Sequence, residues 1–176
     1  MLFDFFYIVS ELKKIPRKGW KEKIGITHSE SVADHSFSVA VMAMVFSDLK
    51  KLDTQKMLKM ALLHDLSESI TGDFTPEEIS KKNKKEIENQ TMNEILSRLP
   101  LEISNQYASI WNEFQQGTSK ESVLMHEIDR LEMAMQALKY NAEGYPKKKL
   151  ALFFESARKD IKSKEILEIL DEISYK

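Results

Sequence analysis

Apolar side chains recur three and four residues apart along most of this chain, and the strict alternation that marks a strand is nearly absent. That period predicts a first helix over residues 2–15, followed by an irregular connection in IPRKGWKEKIG, where Pro16, Gly19 and Gly25 interrupt it. Ser31 followed by Asp34 resembles a capping box and predicts a helix through about Leu49, with Val32, Val39, Met42, Val45 and Phe46 on one broad apolar face. His35 falls in its first turn. Asp53 or Thr54 caps the next helix, in which Met57, Leu58, Ala61, Leu62 and Leu66 keep helical spacing until Gly72. Thr75-Pro76-Glu77-Glu78 reads as a further helix start, with Thr as cap and Pro at the first position, and predicts a helix to Arg98. Pro100 and Gly117 bracket another segment. Thr118 with Glu121 opens one that passes Ile128, Leu131, Met135 and Leu138 toward Gly144, and Pro146 and Ser163 start the last two. The expectation is an all-α fold of about eight helices, forming one domain over residues 1–176.

One stretch breaks the apolar pattern. ALLHDLSESITGDF, residues 61–74, carries His64, Asp65, Glu68 and Asp73 within an otherwise core-like segment. On a helix, His64 and Glu68 lie four apart and Asp65 and Glu68 three apart, so the three can converge on one object. Charge on a buried face is costly unless paired or bound to a metal, and imidazole beside carboxylate suits a first-row divalent ion. Taken alone, the His-Asp pair also fits a hydrogen-bonded core histidine beside an ion-paired aspartate. Two more polar groups sit on core-facing helices: His35, and Asp129 between Ile128 and Leu131. Together His35, His64, Asp65 and Asp129 make two imidazoles and two carboxylates from three helices, enough for one ion with positions left for water and substrate.

Composition narrows the chemistry. With 176 residues and 42% hydrophobic content, the chain can core one domain and is short for two. Its net charge of -2 gives no global basic field for nucleic acid or an anionic membrane, so any anion site must be local. The Lys-rich KKNKK at 81–85 reads as a solvated helix face. Without cysteine, metal ligands must be His, Asp or Glu, and a reducing compartment fits. The apolar MLFDFFYIVSELKKI carries Asp4 and Glu11 and is too short to span a bilayer. A cytoplasmic protein is expected, with no nucleic-acid or membrane partner.

The ordered pattern His35, His64-Asp65, Asp129 resembles the signature of the HD-domain metal-dependent phosphohydrolases. IPRKGW, ESVADHS, ALLHDLSESITGD and the Asp129 helix are similar, in order, to segments of the 5'-deoxynucleotidase branch of that family, and the resemblance covers roughly residues 1–160. It implies a helical HD domain that removes phosphate from deoxyribonucleoside 5'-monophosphates by attack of a metal-activated water. It makes His35, His64, Asp65 and Asp129 the ligands of one divalent ion per chain, one of Mn, Co, Mg, Zn, Ni or Fe. It matches Glu68 and Asp73 to the catalytic acidic pair, Arg17 to the phosphate-binding arginine and Trp20 to a tryptophan near the sugar. Lys18 and Gly19 separate Arg17 from Trp20, as in the eukaryotic-like members.

The chemistry of the residue types agrees with those roles. Arg17 offers a planar donor fork for phosphate oxygens, and a positioned Glu68 can orient a water or take its proton. Asp73 either holds a substrate hydroxyl or protonates the leaving oxygen. Two other functions stay open on the same fold: a nucleotide triphosphohydrolase or cyclic nucleotide phosphodiesterase, and a non-catalytic metal-dependent regulatory module. His126 and His28 read as ordinary histidines outside the site. A homodimer is expected, because members of this size commonly pair and because the helix at 101–115, with Trp111 and Phe114, looks too apolar to bury within one small domain.

Overall fold

The computed structural model describes residues 1–75 and 77–174, and among them the regular elements are helices, with one isolated bridge between Pro16 and Ser31. Eight longer helices are α1 (Leu2–Glu11), α3 (Val32–Lys50), α4 (Thr54–Leu63), α6 (Lys81–Leu96), α7 (Leu101–Gln116), α8 (Lys120–Ala142), α9 (Lys147–Asp160) and α10 (Lys164–Ser174). Two short ones, α2 (Lys18–Ile24) and α5 (Glu68–Thr71), fall in segments where the expected pattern changes.

Local signals explain most boundaries. Ser31 Oγ accepts from Asp34 N–H at 3.1 Å while the Asp34 carboxylate accepts from Ser31 N–H at 2.9 Å, so the expected capping box starts α3. Asp53 caps α4 by accepting from Lys56 N–H. Gly117, at φ 65°, ends α7 in the left-handed conformation that glycine tolerates without strain.

Four expectations need correction. The connection after Pro16 is not irregular: Trp20 and Ile24, one turn apart, bury the inner face of α2 against α9, and Gly25 closes it. The helix expected from Pro76 begins instead at Lys81, capped by Ser80, while Glu78 folds back to accept from Thr75 N–H at 3.0 Å; Pro76 itself lies outside the described residues. Ser119, not Thr118, caps α8. On α3, Val45 turns outward, because this helix is apolar nearly all round and its period leaves the inner face ambiguous.

The main core runs from Phe5 on α1 to Ile173 on α10, with α3 packed chiefly on α4 and α8. Its inner face buries Val32, Val39, Ala43 and Phe46 against Met57, Met60 and Ala61 of α4 and Ile128 and Leu131 of α8. Burial of each such larger side chain stabilises the fold by about 1.5–3 kcal/mol. A second cluster joins Trp20, Ile24 and Ile26 to Met133, Tyr140, Leu150 and Phe153, tying the α2 segment to α8 and α9. Glu127 on α8 accepts from Lys162 N–H at 2.7 Å and Ser163 N–H at 3.0 Å, fixing the turn into α10. Among the described helices α3 is long and apolar enough to cross a membrane, yet it carries the buried His35 toward α8.

Trp111 and Phe114 are buried in this same core, which corrects the expectation that their helix is too apolar to bury them within one domain; the Trp111 indole N–H donates to Asn89. Exposed apolar side chains include Leu2, Phe3 and Phe6 on α1, Phe37, Val45 and Leu49 on the outer side of α3, and Leu101 and Ile103 at the start of α7.

Candidate active site

His35 enters from the first turn of α3, His64 and Asp65 from the end of α4, and Asp129 from the middle of α8. Around His64 the helix gives way to tight turns. Leu66 N–H bonds to Leu63 O and Glu68 N–H to Asp65 O, both three residues back, so Asp65 and Glu68 fall nearly in line along the chain. The continuous helix expected here is therefore interrupted. His64 Nδ1 lies 2.6 Å from Ala61 O, which fixes the ring where the helix stops.

The four expected ligand groups come together. His35 Nε2 is 3.1 Å from Asp129 Oδ1, 3.3 Å from His64 Nε2 and 3.7 Å from Asp65 Oδ2, and His64 Nε2 is 3.2 Å from Asp65 Oδ2. A carbonyl oxygen can only accept, so His64 Nδ1 carries the proton and its Nε2 is a lone pair in the neutral ring. His35 Nδ1 likewise faces an acceptor, the Glu132 carboxylate, at 2.6 Å. Two imidazole nitrogens and two carboxylates thus point inward at one another, an arrangement that a cation between them would satisfy. Ligand atoms about 2.0–2.2 Å from one ion, at angles of roughly 90–110°, stand about 3.0–3.5 Å apart. Most of these spacings match, and the donor set suits a divalent ion; His35, His64 and Asp129 form a group able to hold one.

Without an ion, the charges are balanced by protons and by Arg17. Burial and the Arg17 guanidinium push His35 down, but the Asp129 and Glu132 carboxylates outweigh them and raise it to about 9. Burial opposes ionisation of Asp65 and Asp129, yet His64, Arg17 and His35 around the first, and His35, Arg130 and His64 around the second, hold both below the usual carboxylate range. Glu68 goes the other way: burial, then the Asp65 and Asp73 charges, push it well above that range. Carboxyl groups a few residues apart are thereby pushed in opposite directions by their surroundings.

Asp65, Asp129, Glu68 and Asp73 line a cleft of about 690 Å³. Arg17, at the start of α2, reaches Asp65 Oδ2 at 3.3 Å. Asp73 accepts from Lys18 N–H at 2.7 Å and so pins that start to the turn after α5. Glu68 is buried beside the cleft, and its Oε2 has no hydrogen-bond partner among the described residues. Trp20 is only 2% exposed: its indole N–H donates to Glu30 and its ring packs on Phe153 and Tyr140, so that just an edge lines the cleft.

Three residues at the site were not expected. Glu132 holds His35, and its signal was present in the sequence as an acid one helical turn after Asp129. Glu30 receives the Trp20 indole. Lys84 corrects the reading of KKNKK as wholly solvated: its ammonium turns into the cleft, 3.6 Å from Glu68 Oε1 and 3.5 Å from Glu88 Oε1, and donates to Phe74 O. His126 stacks on Phe114 and faces its carbonyl, and His28 is exposed, so neither belongs to the cluster.

Comparison with known proteins agrees with this architecture. The HD domain family model matches residues 9–170. A 5'-deoxynucleotidase HDDC2 from Dictyostelium discoideum is 36% identical over 166 residues, covering 88% of this chain and 87% of that protein. The Homo sapiens 5'-deoxynucleotidase HDDC2 is 32% identical over 173 residues, covering 98% and 84%. A solved structure of a protein from Pyrococcus horikoshii OT3 is 30% identical and superposes with a TM-score of 0.83 over 98% of both chains. The fold and the sequence thus lead to one assignment: this chain belongs to the HD-domain family, in the branch of those 5'-deoxynucleotidases.

Proposed function

We propose that this protein is a metal-dependent 5'-nucleotidase that hydrolyses deoxyribonucleoside 5'-monophosphates, with one divalent ion per chain. The observation that carries the reading is the inward-facing group of His35, His64, Asp65 and Asp129, with Arg17 at its edge and Glu68 along the same cleft. The 5'-deoxynucleotidase relatives supply the substrate class. His35, His64, Asp65 and Asp129 would hold the ion, which would supply Lewis acidity to acidify a water and to offset phosphoryl charge.

The chain's own groups do the rest. Arg17 uses one N–H on Asp65, and its remaining donors take the phosphate oxygens, where charge builds in the transition state. Glu68 orients the attacking water and takes its proton at the oxygen left without a partner. Asp73 has one oxygen occupied by Lys18 N–H and offers the other to a sugar hydroxyl. The edge of Trp20 forms the apolar wall beside that sugar. A triphosphate would bring further negative charge toward Glu68 and Asp73, which favours a terminal monoester.

The core that runs from α1 to α10 supports a single domain over 1–176. The exposed apolar residues of α1 and of the outer side of α3 support a homodimer. A chain without cysteine suits the reducing cytoplasm. The deciding experiment measures phosphate release by the purified chain, with several divalent ions, from deoxy- and ribonucleoside mono-, di- and triphosphates and cyclic nucleotides. Deoxyribonucleoside monophosphates should be turned over fastest, with little choice among bases. Equal rates on dAMP and AMP would remove the sugar preference, and activity only on triphosphates or cyclic nucleotides would overturn the reading.

A further inference from the structure

Glu132 is a buried acid that none of the proposed catalytic steps uses. It lies on α8 one turn after Asp129, and the two side chains reach opposite sides of the same ring: Asp129 Oδ1 is 3.1 Å from His35 Nε2, and Glu132 Oε2 is 2.6 Å from His35 Nδ1. The ring between them is fully buried. We propose that Glu132 is a positioning residue for the metal centre: by accepting from His35 Nδ1–H it fixes the tautomer and tilt that aim the Nε2 lone pair at the ion. The inference rests on the reading of His35 as a ligand.

Two physical points favour this role. A neutral imidazole carries one proton and one lone pair, and in a buried site the proton goes to the nitrogen that has an acceptor. Glu132 takes that place, which leaves Nε2 free on the side of Asp129, Asp65 and His64. A ring with no such acceptor could turn over or carry its proton on the wrong nitrogen, and ion binding would then have to expel it. The second point concerns Glu30, His35 and Glu132, which also bring three ligand atoms within 4.8 Å of one another. That group is not a second ion site, because 2.6 Å between His35 Nδ1 and Glu132 Oε2 is a direct hydrogen bond. Two ligands about 2.1 Å from one ion would stand at roughly 3 Å.

The same clamp explains how α8 holds α3. One helix grips both ring nitrogens, so His35 is located by its neighbour rather than by its own backbone alone. This is the support by which ligand geometry is kept within the tolerance a metal demands.

The test is a Co²⁺ titration of the ion-stripped full-length chain, read by the visible bands of the bound ion and accompanied by thermal melts. Glu132→Leu should weaken Co²⁺ binding by about 10–100-fold and alter the bands, the usual scale for losing such a partner. Glu132→Gln, whose amide oxygen can accept from the same N–H, should stay within a few-fold of wild type. Glu132→Asp, which withdraws the acceptor by one methylene, should fall between and serves if the Leu variant does not fold. Glu127→Gln changes another buried acid of α8, whose hydrogen bonds go to the turn before α10, and it should shift the melt without changing Co²⁺ affinity. Wild-type affinity in both Glu132→Leu and Glu132→Asp, equal losses in Glu132→Gln and Glu132→Leu, or a matching loss in Glu127→Gln would overturn the proposal alone. Unchanged Co²⁺ binding in His35→Ala, or none in wild type, would overturn the metal reading as well.

Discussion

Glu68 and Asp65 lie three residues apart, and their surroundings separate them: burial and the Asp65 and Asp73 charges raise the first, while His64, Arg17 and His35 lower the second. Glu68 has no place among the four inward-facing donors, so its loss should spare ion binding. Glu68→Ala is expected to keep metal occupancy while turnover falls roughly 100-fold or more, whereas His64→Ala should lose both. Calorimetric ion titration beside a phosphate-release assay checks this, and near-normal rates in Glu68→Ala would move the water-handling role to Asp73. The ligand candidates and this acidic pair were legible because ionisable groups on apolar helices demand an explanation. Lys84 was not, since five polar residues in a row give no sign of which one the tertiary fold turns inward.

At the scale of elements, the starts of α3 and α4 were readable because their caps are local hydrogen bonds. The break at His64 was hidden, because the ring that takes Ala61 O is itself drawn to the cluster, a contact no periodicity reports. The same holds for α2, which exists because Trp20 and Ile24 find α8 and α9. Removing the whole Trp20 ring would leave a hole costing about 3–5 kcal/mol and confuse stability with sugar contact. Trp20→Phe keeps an aromatic wedge and loses only the donor to Glu30 and part of the edge. It should lower the ratio of dAMP to AMP turnover with the fold retained by circular dichroism. An unchanged ratio would make Trp20 an anchor alone.

Across the whole molecule, the ion and the proton compete for the same site. In the ion-free chain His35 is raised from 6.5 to about 9, so the stability it contributes is complete below about 6.5 and is lost as pH rises through about 9. Glu68, also raised, acts in the same direction. Melting temperature of the stripped chain should therefore fall by several degrees between pH 6.5 and 9, and the ion-loaded chain should not follow it. A flat curve for the stripped chain would contradict the charge balance described above. Light scattering at micromolar concentration should find a dimer, and Phe37→Glu on the outer side of α3 should dissociate it; a monomeric wild type would remove the pairing. The segment from Pro16 to Ser31 has a further consequence. Arg17 N–H bonds to Glu30 O and Val32 N–H to Ile15 O, so both ends of this excursion are stitched together beside His35. Residues added or removed at its outer tip, near Thr27 and His28, would leave the stitches in register. A change of length there would thus be absorbed outside the cleft, while Arg17 and His35 keep their spacing.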